Sequence, residues 1–226
     1  MSLKSYLDTR EKYMDFFKQL DQEGIPRDVK GYILTFINNN VETYNLFDKD
    51  INNIMMQLKY NKYKLSIDSY HIINYLIYIF IQKTIRDANT VMQHVRRKTL
   101  MADDLDYALG IYPQNPSKLI NKMKIAGQET TDINEPREPI TNTNLVDTVV
   151  RDYNIDLANS KRSHNYKARI SKPVFSYLAA ALDVLVTEIL KSVKKNRNTK
   201  LITADDILLA LENNNDLRTI FLELFI

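Results

Sequence analysis

One nine-residue phrase occurs twice in this chain. Met101-Ala-Asp-Asp-Leu-Asp-Tyr-Ala-Leu109 returns as Thr203-Ala-Asp-Asp-Ile-Leu-Leu-Ala-Leu211. A basic loop precedes each copy: Arg96-Arg97-Lys98-Thr99 before the first, Lys194-Lys195-Asn196-Arg197-Asn198-Thr199-Lys200 before the second. A long amphipathic helix pattern precedes each loop. The same succession of long helix, basic loop and short helix, met twice, predicts two copies of one helical unit.

Composition narrows the choice of chemistry. A chain of 226 residues holds two domains of about 80 to 100 residues each plus an extension. With no cysteine, disulfides, thiolate catalysis and cysteine-ligated zinc are excluded. Four glycines, none after Gly127, argue against hairpin-rich β structure and against Gly-rich phosphate loops. The apolar run Ile72 to Ile85 is interrupted by Asn74, Gln82 and Lys83 and is too short to span a bilayer. The opening Met1-Ser-Leu-Lys-Ser-Tyr-Leu-Asp8 lacks the apolar core of a signal peptide. No membrane association is expected.

The formal net charge is only +3, but its distribution is uneven. Four windows contain no acid: Lys59 to Leu65, Val95 to Thr99, Ala158 to Lys172 and Lys191 to Ile202. They hold sixteen of the 31 Lys and Arg residues, leaving fifteen to face all 28 acids elsewhere. Loops collect solvated charge in any protein. Four acid-free windows at matching places in a repeat point instead to a phosphate-binding surface.

Along the chain, residues 1–47 read as a helical extension, with helices over 2–22 and from about Asp28. The first unit covers 48–128: a short helix over 48–59, a loop, and a long helix from the capping Ser66 to His94. The basic loop follows, then a short helix over 102–109 and one more from Ser117 to Ile125, ending at Gly127. Residues 129–143, with Pro136 and Pro139, read as a linker. The second unit covers 144–226. A short helix over Leu145–Tyr153 leads into a basic loop to Lys172. Ser171 is placed to cap a long helix whose first turn tolerates Pro173. Thr203 to Asp206 approximates a capping box, with Asp for the usual Glu. An apolar helix over Asn213–Ile226 closes the chain.

Short helix, loop, long helix, loop, short helix resembles the histone fold. Pro173-Val-Phe-Ser-Tyr-Leu-Ala-Ala-Ala-Leu-Asp-Val-Leu-Val-Thr-Glu-Ile-Leu190 is similar to the central helix of the two-A type histone, and Ile207 to Phe221 to its last helix and docking segment. In the first half, Ile85-Arg-Asp-Ala88, His94, Arg97-Lys-Thr99 and Tyr107-Ala-Leu109 resemble histone four, while the added helix after Pro116 resembles the two-B type. Leu145 to Leu157 echoes the first helix of histone three. A two-B/two-A doublet is the preferred reading and four/three the alternative. The likeness covers about 48–126 and 144–222.

Fused pairs of this sort resemble the histone doublets of some large DNA viruses. The resemblance implies an all-α protein of tandem histone folds forming an intramolecular handshake pair. It implies a virion, host-nucleus or viral-factory location, with double-stranded DNA and a second doublet (four/three type), or another copy of this chain, as partners. Each first loop would then lie beside the other half's second loop. Lys59, Lys62 and Lys64 should meet Lys195, Arg197 and Lys200; Lys167, Arg169 and Lys172 should meet Arg96, Arg97 and Lys98. These twelve are the expected DNA contacts, Lys and Arg sufficing where phosphates position the duplex. Arg97 is the candidate for the minor groove, a role for which the histone octamer is the standard example. Asp104, seven residues on, either orients Arg97 or serves the helix N-terminus. In the second half Thr199 takes the place matching Arg97.

No small-molecule substrate, cofactor or metal is expected, nor an enzyme. His71, His94 and His164 lack ligand spacing, and the paired aspartates lie where helices begin. The tyrosines of the long helices are expected in the core. The apolar run Leu217, Ile220, Phe221, Leu222, Leu224, Phe225, Ile226 is expected to dock a partner doublet or fold back on its own chain. The competing function is a histone-fold interaction scaffold of a transcription or virion complex.

Overall fold

The computed structural model describes residues 46–111, 117–132, 134–160, 169–194 and 200–221. The helices expected within 1–47 lie outside the described residues. In chain order the elements are α1 (Asp48–Gln57), β1 (Lys64–Leu65), α2 (Ile67–His94), β2 (Thr99–Leu100), α3 (Ala102–Ile111), α4 (Lys118–Glu129), α5 (Thr143–Ser160), β3 (Arg169–Ile170), α6 (Pro173–Lys194), β4 (Leu201–Ile202), α7 (Ala204–Asn213) and α8 (Asn215–Ile220). The chain is mostly helical, and helix–strand–helix–strand–helix occurs twice in it.

Local chemistry explains where the helices begin. Ser66 accepts the Ser69 N–H at 3.2 Å and Ser117 accepts the Ile120 N–H at 3.1 Å, each satisfying a donor that the first helical turn leaves open. Before α7, the Thr203 N–H and hydroxyl both donate to the Asp206 carboxylate, at 2.7 and 2.6 Å. Asn214 stops α7 and starts α8, accepting the Asp216 and Leu217 N–H groups at 3.0 and 3.2 Å. Ser171 does not cap α6: its buried hydroxyl has no hydrogen-bond partner. Pro173 brings no N–H to that turn, which the Val174 N–H closes onto the Ser171 carbonyl at 3.1 Å.

Three other expectations shift. The helix expected over 145–153 runs from Thr143 to Ser160, taking in residues read as loop. Gly127 does not end α4, which continues to Glu129. A Cβ at Gly127 would lie 2.5 Å from the Tyr177 ring, so the glycine is there for close packing on α6. The two-residue strands were absent from the sequence reading.

The two long helices supply the core. On α2, Ile72, Ile73, Leu76, Ile77, Phe80, Ile85, Ala88 and Met92 are buried and Val91 is half-buried; Ile81 and Tyr75 are buried as well. Helix α6 is buried over most of its circumference, from Val174 to Val193. By length and composition Pro173–Val193 could cross a membrane, but 72% of that window is buried inside this fold.

The halves interleave. α1 and α3 pack on α6, α5 and α7 pack on α2, and α4 lies along α6. Each half's short helices thus cover the other half's long helix, and the apolar stripe of either half alone would face water. Helix α8 packs on α7 and α4, burying Leu217, Ile220 and Phe221. Those three side chains are spent inside the chain and do not present a docking surface; residues 222–226 lie outside the described residues. The segment between α4 and α5 is also anchored. The Ile140 N–H donates to Asp183 at 2.7 Å, and the Thr141 N–H and hydroxyl at 2.9 and 2.6 Å. Burial raises the Asp183 carboxyl pKa, against the opposing pull of these donors and of Arg137.

Candidate nucleic-acid interface

Two short parallel ladders join the halves. β1 pairs with β4, aligning Lys64 with Leu201 and Leu65 with Ile202. β2 pairs with β3, aligning Thr99 with Arg169 and Leu100 with Ile170. The Lys64 N–H donates to the Lys200 carbonyl at 2.8 Å, and the Ser66 N–H to the Ile202 carbonyl at 2.9 Å. The Ser69 hydroxyl adds a second donor to that Ile202 carbonyl at 2.8 Å. At the other ladder the Arg169 N–H reaches the Lys98 carbonyl and the Ser171 N–H the Leu100 carbonyl, both at 3.0 Å.

Backbone pairing therefore gathers cations from both halves. Lys59, Lys62, Lys64 and Lys200 are exposed at or near the β1/β4 ladder. Arg96, Lys98, Arg169 and Lys172 are exposed at or near the β2/β3 ladder, with Arg97 half-buried among them. Lys167, Lys195 and Arg197 lie outside the described residues. Of the nine described cations, only Arg97 is held in an ion pair. The others are exposed and have no ion-pair partner among the described residues, the condition in which a phosphate backbone attracts them most.

Arg97 is oriented by Asp104, whose side chain is 0% exposed. One carboxylate oxygen of Asp104 takes the guanidinium, and the other accepts the Met101 N–H at 2.8 Å, at the start of α3. The two roles considered for Asp104 are thus filled together. At the equivalent place in the second half, Asp206 receives the Thr203 N–H and hydroxyl.

Asp106 escaped the sequence reading. It accepts the Tyr177 hydroxyl at 2.9 Å and the Gln128 amide at 2.8 Å, and pairs with Lys124 at 3.2 Å. Burial and the adjacent Asp106 and Asp103 raise the Tyr177 phenol pKa, so the ring keeps its proton and donates it. Asp106 thereby ties α3, α4 and α6 together behind the β2/β3 ladder. The second copy of the phrase has Leu208 there, which is why the repeat gave no warning.

Residues 49–109 match the family described as histone-like transcription factor (CBF/NF-Y) and archaeal histone. This segment is a histone-fold domain. It runs from α1 to the body of α3 and so contains the Lys59–Lys64 and Arg96–Lys98 clusters. No curated protein matches the chain.

Proposed function

We propose that the chain is a histone doublet that binds double-stranded DNA without reading its sequence and compacts it. On this reading residues 144–226 form a second, two-A-like histone fold. It closes a handshake with the first fold, residues 48–128, and 129–143 link them. The observation that carries the reading is the pairing of β1 with β4 and β2 with β3, which puts exposed cations from both halves at each ladder. Phosphate neutralisation needs only such cations and main-chain N–H groups. Arg97 on its buried carboxylate is the group prepared to enter a minor groove. The doublet would act in a virion and in the host nucleus or viral factory, with a second doublet or another copy of itself completing a nucleosome-like particle.

The test is a shift assay on random-sequence duplex across a range of salt. If each end neutralises three or four phosphates, log affinity falls with log salt at a slope of roughly −5 to −7. A slope near zero, or no binding at low salt, rejects the reading. The matched family's transcription-factor members favour one other function, an interaction scaffold. Tyr107 and Ile125, 66% and 55% exposed on α3 and α4, would then be contact residues.

A further inference from the structure

Two residues outside glycine have positive φ among the described residues, and both are site cations: Lys59 at 58° and Arg96 at 56°. Each stands one residue beyond a helix C-cap, Leu58 for α1 and Val95 for α2. The closures match bond for bond. The Lys59 N–H donates to the Met56 carbonyl and the Tyr60 N–H to the Met55 carbonyl, both at 2.9 Å. The Arg96 N–H donates to the Gln93 carbonyl at 2.9 Å and the Arg97 N–H to the Met92 carbonyl at 3.0 Å. This is the two-bond helix ending whose left-handed residue is most often glycine, because a Cβ crowds the carbonyl there.

The residue after each bend is pinned. Tyr60 is buried together with Met55, and Arg97 is held by Asp104. The bend is therefore fixed, its cation is exposed, and a strand ladder follows within a few residues. Lys62, Lys64 and Lys98 have ordinary backbone, so a cation near a ladder does not itself require the left-handed conformation. A helix C-terminus attracts positive charge, which offsets part of the strain. Glycine would remove the strain altogether.

We propose that Lys59 and Arg96 are a matched pair of phosphate ligands, one near each ladder, kept at bends where glycine would make the fold more stable. The inference rests on the DNA-binding reading above and adds that these two positions exchange stability for phosphate contact.

The experiment compares the full chain with Lys59→Gly/Arg96→Gly and with Lys59→Gln/Arg96→Gln, by thermal melting without DNA and by salt-dependent binding to random duplex. The glycine pair should melt a few degrees higher than the parent. The glutamine pair, which keeps the Cβ and loses the charge, should melt no higher than the parent. Both pairs should flatten the log affinity against log salt slope by about two, one for each lost contact. A lower melting temperature for the glycine pair, or an unchanged slope in either pair, overturns the proposal. If the parent shows a steep slope and the variants share it, only this inference falls. If the parent binds no DNA, the functional reading falls with it.

Discussion

At the β2/β3 end a buried carboxylate holds a guanidinium; at the β1/β4 end the matching carboxylate holds a threonine hydroxyl. The first end is braced again behind the ladder, where Asp106 gathers Tyr177, Gln128 and Lys124. The second has Leu208 in place of Asp106. The described cations differ in kind too: arginines at 96, 97 and 169 with lysines at 98 and 172 against lysines alone at 59, 62, 64 and 200. A guanidinium presents a flat fork of donors, whereas an ammonium acts as a flexible point charge. The difference teaches that a repeated backbone plan does not make two equal sites. On the DNA-binding proposal, one end would offer a fixed, oriented contact and the other diffuse attraction.

The largest effect should strike both ends at once. Leu182 is 0% exposed on α6, against which helices of both halves pack. Leu182→Asp buries a charge with no partner and should cost upwards of about 3 kcal/mol. Circular dichroism should show loss of helix and DNA binding together. A variant that stays folded while losing one end's contacts would show the ends to be separately supported.

Gly127→Ala should come next and should weigh on the braced end. The new methyl would meet the Tyr177 ring, and α4 and α6 would have to part or the ring turn off Asp106. Overpacking of this kind costs about 1 to 3 kcal/mol. A melt within half a degree of the parent would mean that the brace is slack.

These two residues also show what could be read in advance. Leu182 lay on an apolar stripe whose helical period is written in the sequence. Ser66 and the Thr203–Asp206 pairing were legible from a spacing of three residues. Ser171, which the same rule picks out, caps nothing, and Ser117 was legible only as a helix start. Gly127 looked like a helix end because glycine usually is one, and only the Tyr177 ring, 50 positions on, explains it. The strands were invisible, since two residues carry no alternation and their partners are in the other half. Asp183 was hidden likewise, its donors lying at 140 and 141. For the site, charge windows were local and readable, while the left-handed turns at Lys59 and Arg96 left no trace in residue type.

On DNA, Arg97→Ala should weaken binding more than Lys64→Ala, although each removes one charge and about one unit of salt slope. Asp104 fixes the guanidinium before DNA arrives, so less freedom is lost on contact. Arg97→Lys should restore the slope but not the full affinity. Thermal stability should fall as well with Arg97→Ala, because Asp104 keeps the Met101 N–H but its buried charge loses its cation, so binding is compared well below the melt of either variant. Equal losses for Arg97→Ala and Lys64→Ala would erase the contrast between the ends.

The smallest effect lies away from both ladders and serves as their control. Asp50 on α1 is 5% exposed, and its Oδ2 has no hydrogen-bond partner. Burial chiefly raises its carboxyl pKa, and Asp183 adds to this. A main-chain bond from Asn142 and the charge of Lys49 act the other way. The folded protein therefore holds the Asp50 proton to a higher pH than the unfolded chain does. Through the window between those two values the folded state binds more protons, so this group's contribution to stability falls as pH rises and levels off above the window. At neutral pH the buried charge is a penalty. Asp50→Asn should melt above the parent there, and the gap should close as pH falls through the carboxylate range. DNA binding at neutral pH should be unchanged, since neither ladder is touched. A gap that does not vary with pH would assign the effect to packing, and an altered salt slope would tie this buried acid to the basic ends after all.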